Sequence, residues 1–257
     1  MRDIDQTAAP LLDHLVELRK RLIWSFVALF AAFAVCFYFA DRIFAFLAQP
    51  LVAAFPPGEG KLVYTKLYEA FFVEVRVAFF AAFFLAFPVI ANQIWAFVAP
   101  GLYAKEKRAF LPFLIATPVL FLLGGALAYY VVMPTAFHFF LSFEGDLGGI
   151  QQEALPSIGD YLSLVMHFIL AFGIAFLLPV LLMLMERAGR VTRDQLKGGR
   201  RSAVLVAFVI AAVATPPDVL SQFMLAVPLI LLYEISLIAI WFTERRRARE
   251  AAGSELL

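Results

Sequence analysis

The stretch RKRLIWSFVALFAAFAVCFYFA, from Arg19 to Ala40, decides the fold of this chain. From Leu22 onward it contains no charged side chain, and about 20 apolar residues suffice for a helix to cross a hydrocarbon core of about 30 Å. Three consecutive cations stand directly before the apolar run. The pattern predicts a membrane-spanning helix whose first end stays on the side where positive charge accumulates.

The composition extends this interpretation to the whole chain. Of its 257 residues, 63% are hydrophobic and 16% are charged, whereas a soluble domain carries about 25% charged residues. The net charge of +1 does not suggest a nucleic-acid partner, and the one cysteine, Cys36, lies in the apolar run and excludes a disulfide framework. We therefore predict an all-α polytopic membrane protein, with residues 1–257 forming a single integral membrane domain.

Six apolar segments are candidates for membrane spans. They run approximately over residues 22–40, 73–98, 110–133, 161–185, 203–215 and 219–242, followed by a tail over 243–257. Seventeen of the 21 lysines and arginines fall in the N-terminal segment, the second and fourth connections and the tail. Because cytoplasmic loops carry the positive excess, we predict six helices with both termini cytoplasmic.

The last two segments are predicted to be short. Residues 203–215 would reach only about 20 Å as a helix, less than the hydrocarbon core. The apolar run from Val219 meets a carboxylate at Glu234, which must find a polar partner or the interface. Two adjacent short helices imply a locally thinned bilayer or close protein contact.

Prolines and aromatic residues shape the remaining expectations. A break is predicted in the second span between Pro88 and Gln93, and Pro134, Pro179 and Pro228 should kink or bound helices. Two long outer loops are rich in aromatic residues, so we expect them to form short helices that cap a concave bundle on the outer side.

No pattern in the chain indicates catalysis. Motifs for a serine nucleophile, a zinc hydrolase or an intramembrane Asp pair are missing from the sequence. His14 and Glu17 share a helix face at i, i+3, but two ligands do not make a metal site. We predict no enzyme activity, no metal and no cofactor.

Two carboxylates among cations need explanation. Glu17 precedes Arg19, and Glu106 stands between two lysines in the second connection, so both are predicted to face the cytoplasm. The simple interpretation is an intrahelical salt bridge, here Glu17 with Arg21 at i, i+4. Leucines at positions 11, 15, 18 and 22 form an apolar stripe, so this segment should be a helix lying on or entering the membrane.

Four ordered stretches carry a family resemblance. They are HLVELRKRL (His14–Leu22), QIWAFVAPGLYAKEKR (Gln93–Arg108), FLLPVLLMLMERAGRVT (Phe176–Thr192) and ATPPDVLSQFMLAVPLILLYEIS (Ala214–Ser236). Together they resemble the signature stretches of the TatC family, the multispanning receptor subunit of the twin-arginine protein translocase. The likeness covers residues 11–242.

The resemblance implies a function and partners. The family binds signal peptides with two consecutive arginines and exports folded proteins with the transmembrane proton gradient. It works with single-span TatA/TatB-type subunits and further copies of itself. The bacterial cytoplasmic (inner) membrane is the implied location, and the lipid bilayer its surroundings. No nucleic acid is involved.

The resemblance also implies functional positions. Glu17 and Glu106 match the recognition carboxylates, with Arg19 and Phe97 in the same cytoplasmic patch. Pro50 matches a sensitive position in the first outer loop. Asp218 and Gln222 match the turn between the two short helices.

One position departs from the family pattern. Leu177 stands where several relatives carry an intramembrane Glu that would dock a partner helix, and Glu234 is a candidate replacement. A small-solute transporter or channel is the alternative function, but the nearly bare midplane and the absence of matching halves in the sequence favour the receptor.

Overall fold

The first apolar run and the amphipathic segment before it form one helix, α1 (Ile4–Tyr38), of 35 residues. These bounds come from a computed structural model that describes residues 4–56, 62–102, 111–215 and 218–254. Leu15, Leu18 and Leu22 are exposed, as apolar side chains facing lipid would be. The amphipathic segment is therefore continuous with the first span and is not a separate surface helix.

The other elements follow along the chain. They are α2 (Ala40–Val52), α3 (Glu69–Leu102), α4 (Leu111–Leu127), a π-helical turn (Ala128–Val132), α5 (Met133–Leu141), β1 (Gly145–Leu147), β2 (Ile150–Gln152), α6 (Ile158–Ala175), α7 (Leu178–Arg187), α8 (Arg193–Gly198), α9 (Arg200–Ala214) and α10 (Val219–Ser254). The strands β1 and β2 form an antiparallel hairpin, which sequence analysis did not predict.

Five helical stretches among the described residues are long and apolar enough to cross a membrane. They are His14–Tyr38, Glu69–Phe97, Pro112–Leu141, Ile158–Arg187 and Val219–Arg245. Each overlaps one predicted span, which confirms a multi-pass, all-helical membrane architecture apart from the hairpin. The sixth crossing, at the short fifth segment, and the cytoplasmic side of the termini stay predictions.

The lengths of the last two helices differ from each other. The 15 residues of α9 reach about 22 Å, so this helix is short as predicted. The prediction of a short last helix is wrong, because α10 has 36 residues and continues through Glu234 into the predicted tail. A carboxylate with a polar partner need not end a helix, and Glu234 has one in Arg200.

Two predictions about prolines had different outcomes. The predicted break between Pro88 and Gln93 is wrong, since α3 runs through both residues without interruption. Membrane helices accept proline where neighbouring groups satisfy the freed carbonyl. Pro179 does bound a helix, because it is the second residue of α7 and lies four residues after Ala175, the last residue of α6. Its missing N–H costs nothing at that position.

The chain divides into two compact units. The first comprises Met1–Ala48, Val63–Pro118 and Ser157–Leu162. Within it α1 and α3 pack antiparallel, because Phe33 contacts Phe79 while Arg21 contacts Gln93. Small buried residues line this interface and allow close approach of the two helices: Ala32, Cys36, Ala78, Ala82 and Ala86.

Glu69, at the start of α3, ties separate segments of the first unit together. Its Oε2 accepts hydrogen bonds from the backbone N–H of Thr65 at 2.7 Å and of Lys66 at 3.1 Å. Its Oε1 accepts from Ser157 Oγ at 2.9 Å and from the Gly159 N–H at 2.8 Å. The carboxylate thus joins the entry to α3 with the entry to α6.

We expect Glu69→Gln to lower the melting temperature of the purified protein in detergent. Both carboxylate oxygens face backbone donors, so the amide NH2 of Gln must meet an N–H in either orientation. Glu74→Gln is the matched control, because Glu74 forms no hydrogen bond or ion pair with the other described residues. Equal melting temperatures for the two variants would contradict this role of Glu69.

The second unit comprises Gln49–Leu62, Val119–Pro156 and Ser163–Leu257. Here α10 packs on α7, α8 and α9, and the Tyr233 hydroxyl donates to the Leu196 carbonyl at 2.6 Å. Leu237 and Ile240 complete the buried centre of this cluster. Helices α4 and α6 also meet in this unit, where Gly124 lies directly against the backbone of Phe172.

Candidate functional site

One end of the α1/α3 pair gathers polar and aromatic side chains. Arg21 Nη2 donates a hydrogen bond to Glu17 Oε1 at 3.2 Å, one turn earlier on α1. Its other terminal nitrogen, Nη1, donates to Gln93 Oε1 on α3, also at 3.2 Å. The predicted Glu17–Arg21 salt bridge is confirmed, and it extends to the neighbouring helix.

An aromatic contact between α1 and α3 lies on the other side of Glu17 from Arg21. The His14 ring stacks on the Phe97 ring with centroids 4.3 Å apart and planes inclined by 21°. His14, Glu17 and Arg21 follow one another at helical spacings of three and four, so they share a face of α1. Glu17 consequently lies between two contacts from α1 to α3.

Glu17 is partly enclosed but still reachable. The exposed fraction is 35% for its side chain and 34% for that of Arg21. Arg19 is exposed and, two residues after Glu17, it points away from the shared face. The structure thus places Phe97 against His14, on the face of α1 that carries Glu17, and leaves Arg19 at the edge of the patch.

Glu106 lies outside the described residues. The helices that flank its segment are linked nevertheless, since Trp95 Nε1 donates to Thr117 Oγ1 at 2.8 Å. Thr117 in turn donates to the Phe113 carbonyl at 2.7 Å. Both flanking helices are therefore anchored to each other near the site.

The other predicted positions lie at helix ends. Pro50 is buried in the last turn of α2. Asp218 caps α10, because its Oδ1 accepts from the Ser221 N–H at 2.7 Å. Gln222 Nε2 donates to the Phe208 carbonyl of α9 at 3.3 Å, so the latter two residues stabilise the start of α10 and its contact with α9.

Glu234 has its polar partner within the chain. Arg200 Nη2, at the start of α9, donates to Glu234 Oε2 at 2.7 Å, and both side chains are partly exposed. The expectation that this carboxylate must reach a polar group is confirmed. Docking of a partner helix at Glu234 stays a prediction. Leu177 occupies the N-cap position of α7, and its side chain offers no polar group there.

A family model decides the affiliation of the chain. The model described as Sec-independent protein translocase protein (TatC) matches residues 13–228. The chain belongs to the TatC family.

Similar proteins extend this affiliation over nearly the whole chain. The TatC protein of Magnetococcus marinus is 50% identical, over 98% of this chain and 91% of its own length. That of Rickettsia prowazekii is 43% identical, over 91% of this chain and 94% of its own. The chain is accordingly a component of the Sec-independent (Tat) protein translocase, which is not a classical enzyme family.

Solved structures agree with the fold. A crystal structure of a twin arginine translocase receptor, TatC, superposes with a TM-score of 0.73 at 41% identity, covering 88% of this chain and 96% of that one. A second, in DDM, gives 0.76 at 39% identity, covering 88% and 98%. The described helices therefore have the TatC fold.

Sequence analysis missed two members of this TatC site, since His14 was considered only as a metal ligand and Gln93 only as the end of a predicted break. It predicted the pair of Arg21 with Glu17 but not the hydrogen bond from Arg21 to Gln93. The described residues contain no group of three or more His, Cys, Asp or Glu that could hold a metal. The helical spacing of positions 14, 17 and 21 was a usable signal for a shared face, whereas Gln93 could be found only from the pairing of α1 with α3.

Proposed function

We propose that this TatC chain is the receptor subunit of a twin-arginine translocase in a bacterial inner membrane. In this proposal Glu17 and Glu106 bind the two arginines of a signal peptide on the cytoplasmic side. The observation that carries it is that Glu17 already accepts a hydrogen bond from a guanidinium in a partly enclosed setting between two helices.

The chemistry favours arginine over lysine. A guanidinium is planar and presents paired donors that match a carboxylate, whereas an ammonium acts as a point charge. Two separated carboxylates therefore select Arg-Arg over Lys-Lys. The exposed cations Arg19 and Lys20 repel basic peptides in general. A peptide that cannot form paired hydrogen bonds with the carboxylates gains too little binding energy to offset this repulsion.

The rest of the chain supports a platform role. The Lys/Arg distribution favours a cytoplasmic position for the Glu17 end of α1 and for both termini. The short α9 implies a thinned bilayer beside it, where single-span TatA/TatB-type subunits and further copies of the chain would assemble. Export of folded cargo would then draw on the proton gradient through the assembled complex.

Competition between two matched peptides tests the receptor function. Full-length protein in lipid nanodiscs is titrated with fluorescent signal peptides that differ only in Arg-Arg or Lys-Lys. We expect at least about tenfold tighter binding of the Arg-Arg peptide, which corresponds to about 1.4 kcal/mol. Equal affinities would refute the proposal, because both peptides carry the same charge.

A further inference from the structure

Glu17 is occupied by an arginine of its own chain. Arg21 Nη2 lies 3.2 Å from Glu17 Oε1, so the guanidinium stands where an incoming guanidinium would have to bind. The proposed ligand carries the same chemical group. A peptide arginine can therefore reach Glu17 only by displacing Arg21.

Helix α3 holds Arg21 in this place. Gln93 Oε1 accepts from Nη1 while Glu17 accepts from Nη2, which orients the planar guanidinium across the two helices. Its Nε is enclosed and has no hydrogen-bond partner among the described residues. The side chain is thus drawn toward α3 instead of extending into solvent, as Lys20 beside it does.

We propose that Arg21 is an internal competitor that occupies Glu17 and sets the affinity threshold of the signal-peptide site, with Gln93 as its positioning residue. This inference rests on the proposed receptor function. Displacing Arg21 reduces the affinity of every ligand for Glu17 by the same factor. The preference for Arg-Arg then comes from the geometry of the carboxylates, while Arg21 sets the affinity that a peptide needs in order to bind at all.

The expected size of the effect follows from the pair. An exposed i, i+4 ion pair alone would lower ligand affinity about twofold, and the second acceptor on Gln93 with partial enclosure extends this to about tenfold. Removing the competitor should therefore tighten peptide binding by about twofold to tenfold. The ratio between Arg-Arg and Lys-Lys peptides should stay unchanged.

The test compares two single-charge removals in full-length protein in nanodiscs. Arg21→Gln frees Glu17, whereas Lys20→Gln removes one cation next to it without touching the pair. We expect both peptides to bind Arg21→Gln more tightly than Lys20→Gln by the same factor. Equal affinities of the two variants, or a changed Arg-Arg to Lys-Lys ratio in Arg21→Gln alone, would overturn the inference.

Two further variants keep the result independent of the folding of Arg21→Gln. Arg21→Lys retains the charge but presents one Nζ in place of the two terminal nitrogens that reach Glu17 and Gln93, and Gln93→Met removes only the second acceptor. Each of these two variants should bind the Arg-Arg and Lys-Lys peptides more tightly than wild type does, although the gain should be smaller than in Arg21→Gln. Affinities equal to those of wild type would overturn the inference. If the wild-type protein shows no preference for Arg-Arg, the proposed receptor function is refuted. If the preference is present but these variants bind the peptides as tightly as wild type does, only the proposed role of Arg21 as a competitor is refuted.

Discussion

Glu17→Ala is expected to abolish the preference for Arg-Arg over Lys-Lys peptides and to weaken Arg-Arg binding by about tenfold to a hundredfold. A hydrogen bond to a charged group contributes about 1.5–3 kcal/mol, and the substitution removes the carboxylate that supplies it. Glu106→Gln should have the same effect, because each carboxylate is proposed to take one arginine. The measurement is the nanodisc titration with both peptides.

Stability and insertion serve as controls for these variants. The Glu17–Arg21 pair is i, i+4 and about a third exposed, so losing it should cost only about 0.3–0.5 kcal/mol. Glu74→Ala, which removes a carboxylate elsewhere on α3, should leave the preference intact. Retained preference in a Glu17→Ala, Glu106→Gln double variant would contradict the assignment of both carboxylates.

Gly124→Ala is expected to destabilise the second unit by about 1–3 kcal/mol, the usual effect of overpacking a close contact. A Cβ at Gly124 would overlap the carbonyl oxygen of Phe172 on α6 and would lie 2.9 Å from Phe176 Cβ. Backbone cannot move aside as a flexible side chain can, so the helices must separate. A lower melting temperature in detergent is the expected measurement.

Gly198→Ala provides the matched control, because a Cβ there would meet nothing within 4 Å. Alanine restricts the unfolded chain more than glycine does, so this variant should be neutral or slightly more stable. If Gly124→Ala melts at the same temperature as Gly198→Ala, the close approach of α4 to α6 at Gly124 does not limit stability.

Membrane spans were predictable because each depends on local composition. A helix in lipid satisfies its own backbone, so a sufficiently long apolar run is enough to specify one. The Glu17–Arg21 pair was predictable for the same reason, since both residues lie on one helix a turn apart. The family stretches added the function and the partners of the protein as expectations.

Wrong predictions concern helix ends. Pro88 lies inside α3 and Glu234 inside α10, although each residue locally favours a break. Neighbouring groups offset the free-energy cost of keeping such a residue inside a helix, as Arg200 does by pairing with Glu234. The hairpin of β1 and β2 was missed because three-residue strands are too short to show an alternating pattern.

Sequence alone determined that this TatC chain is a helical membrane protein, where most of its spans lie, and that a carboxylate stands among cations before the first span. Only the tertiary structure decided that Phe97 of α3 stacks on His14 and that Arg21 bonds to Gln93 of α3 as well as to Glu17. The physical reason is range: apolar length and i, i+4 pairs act along one helix, whereas Gln93 is 72 residues from Arg21. Contacts of that kind exist only after the small-residue faces of α1 and α3 have packed.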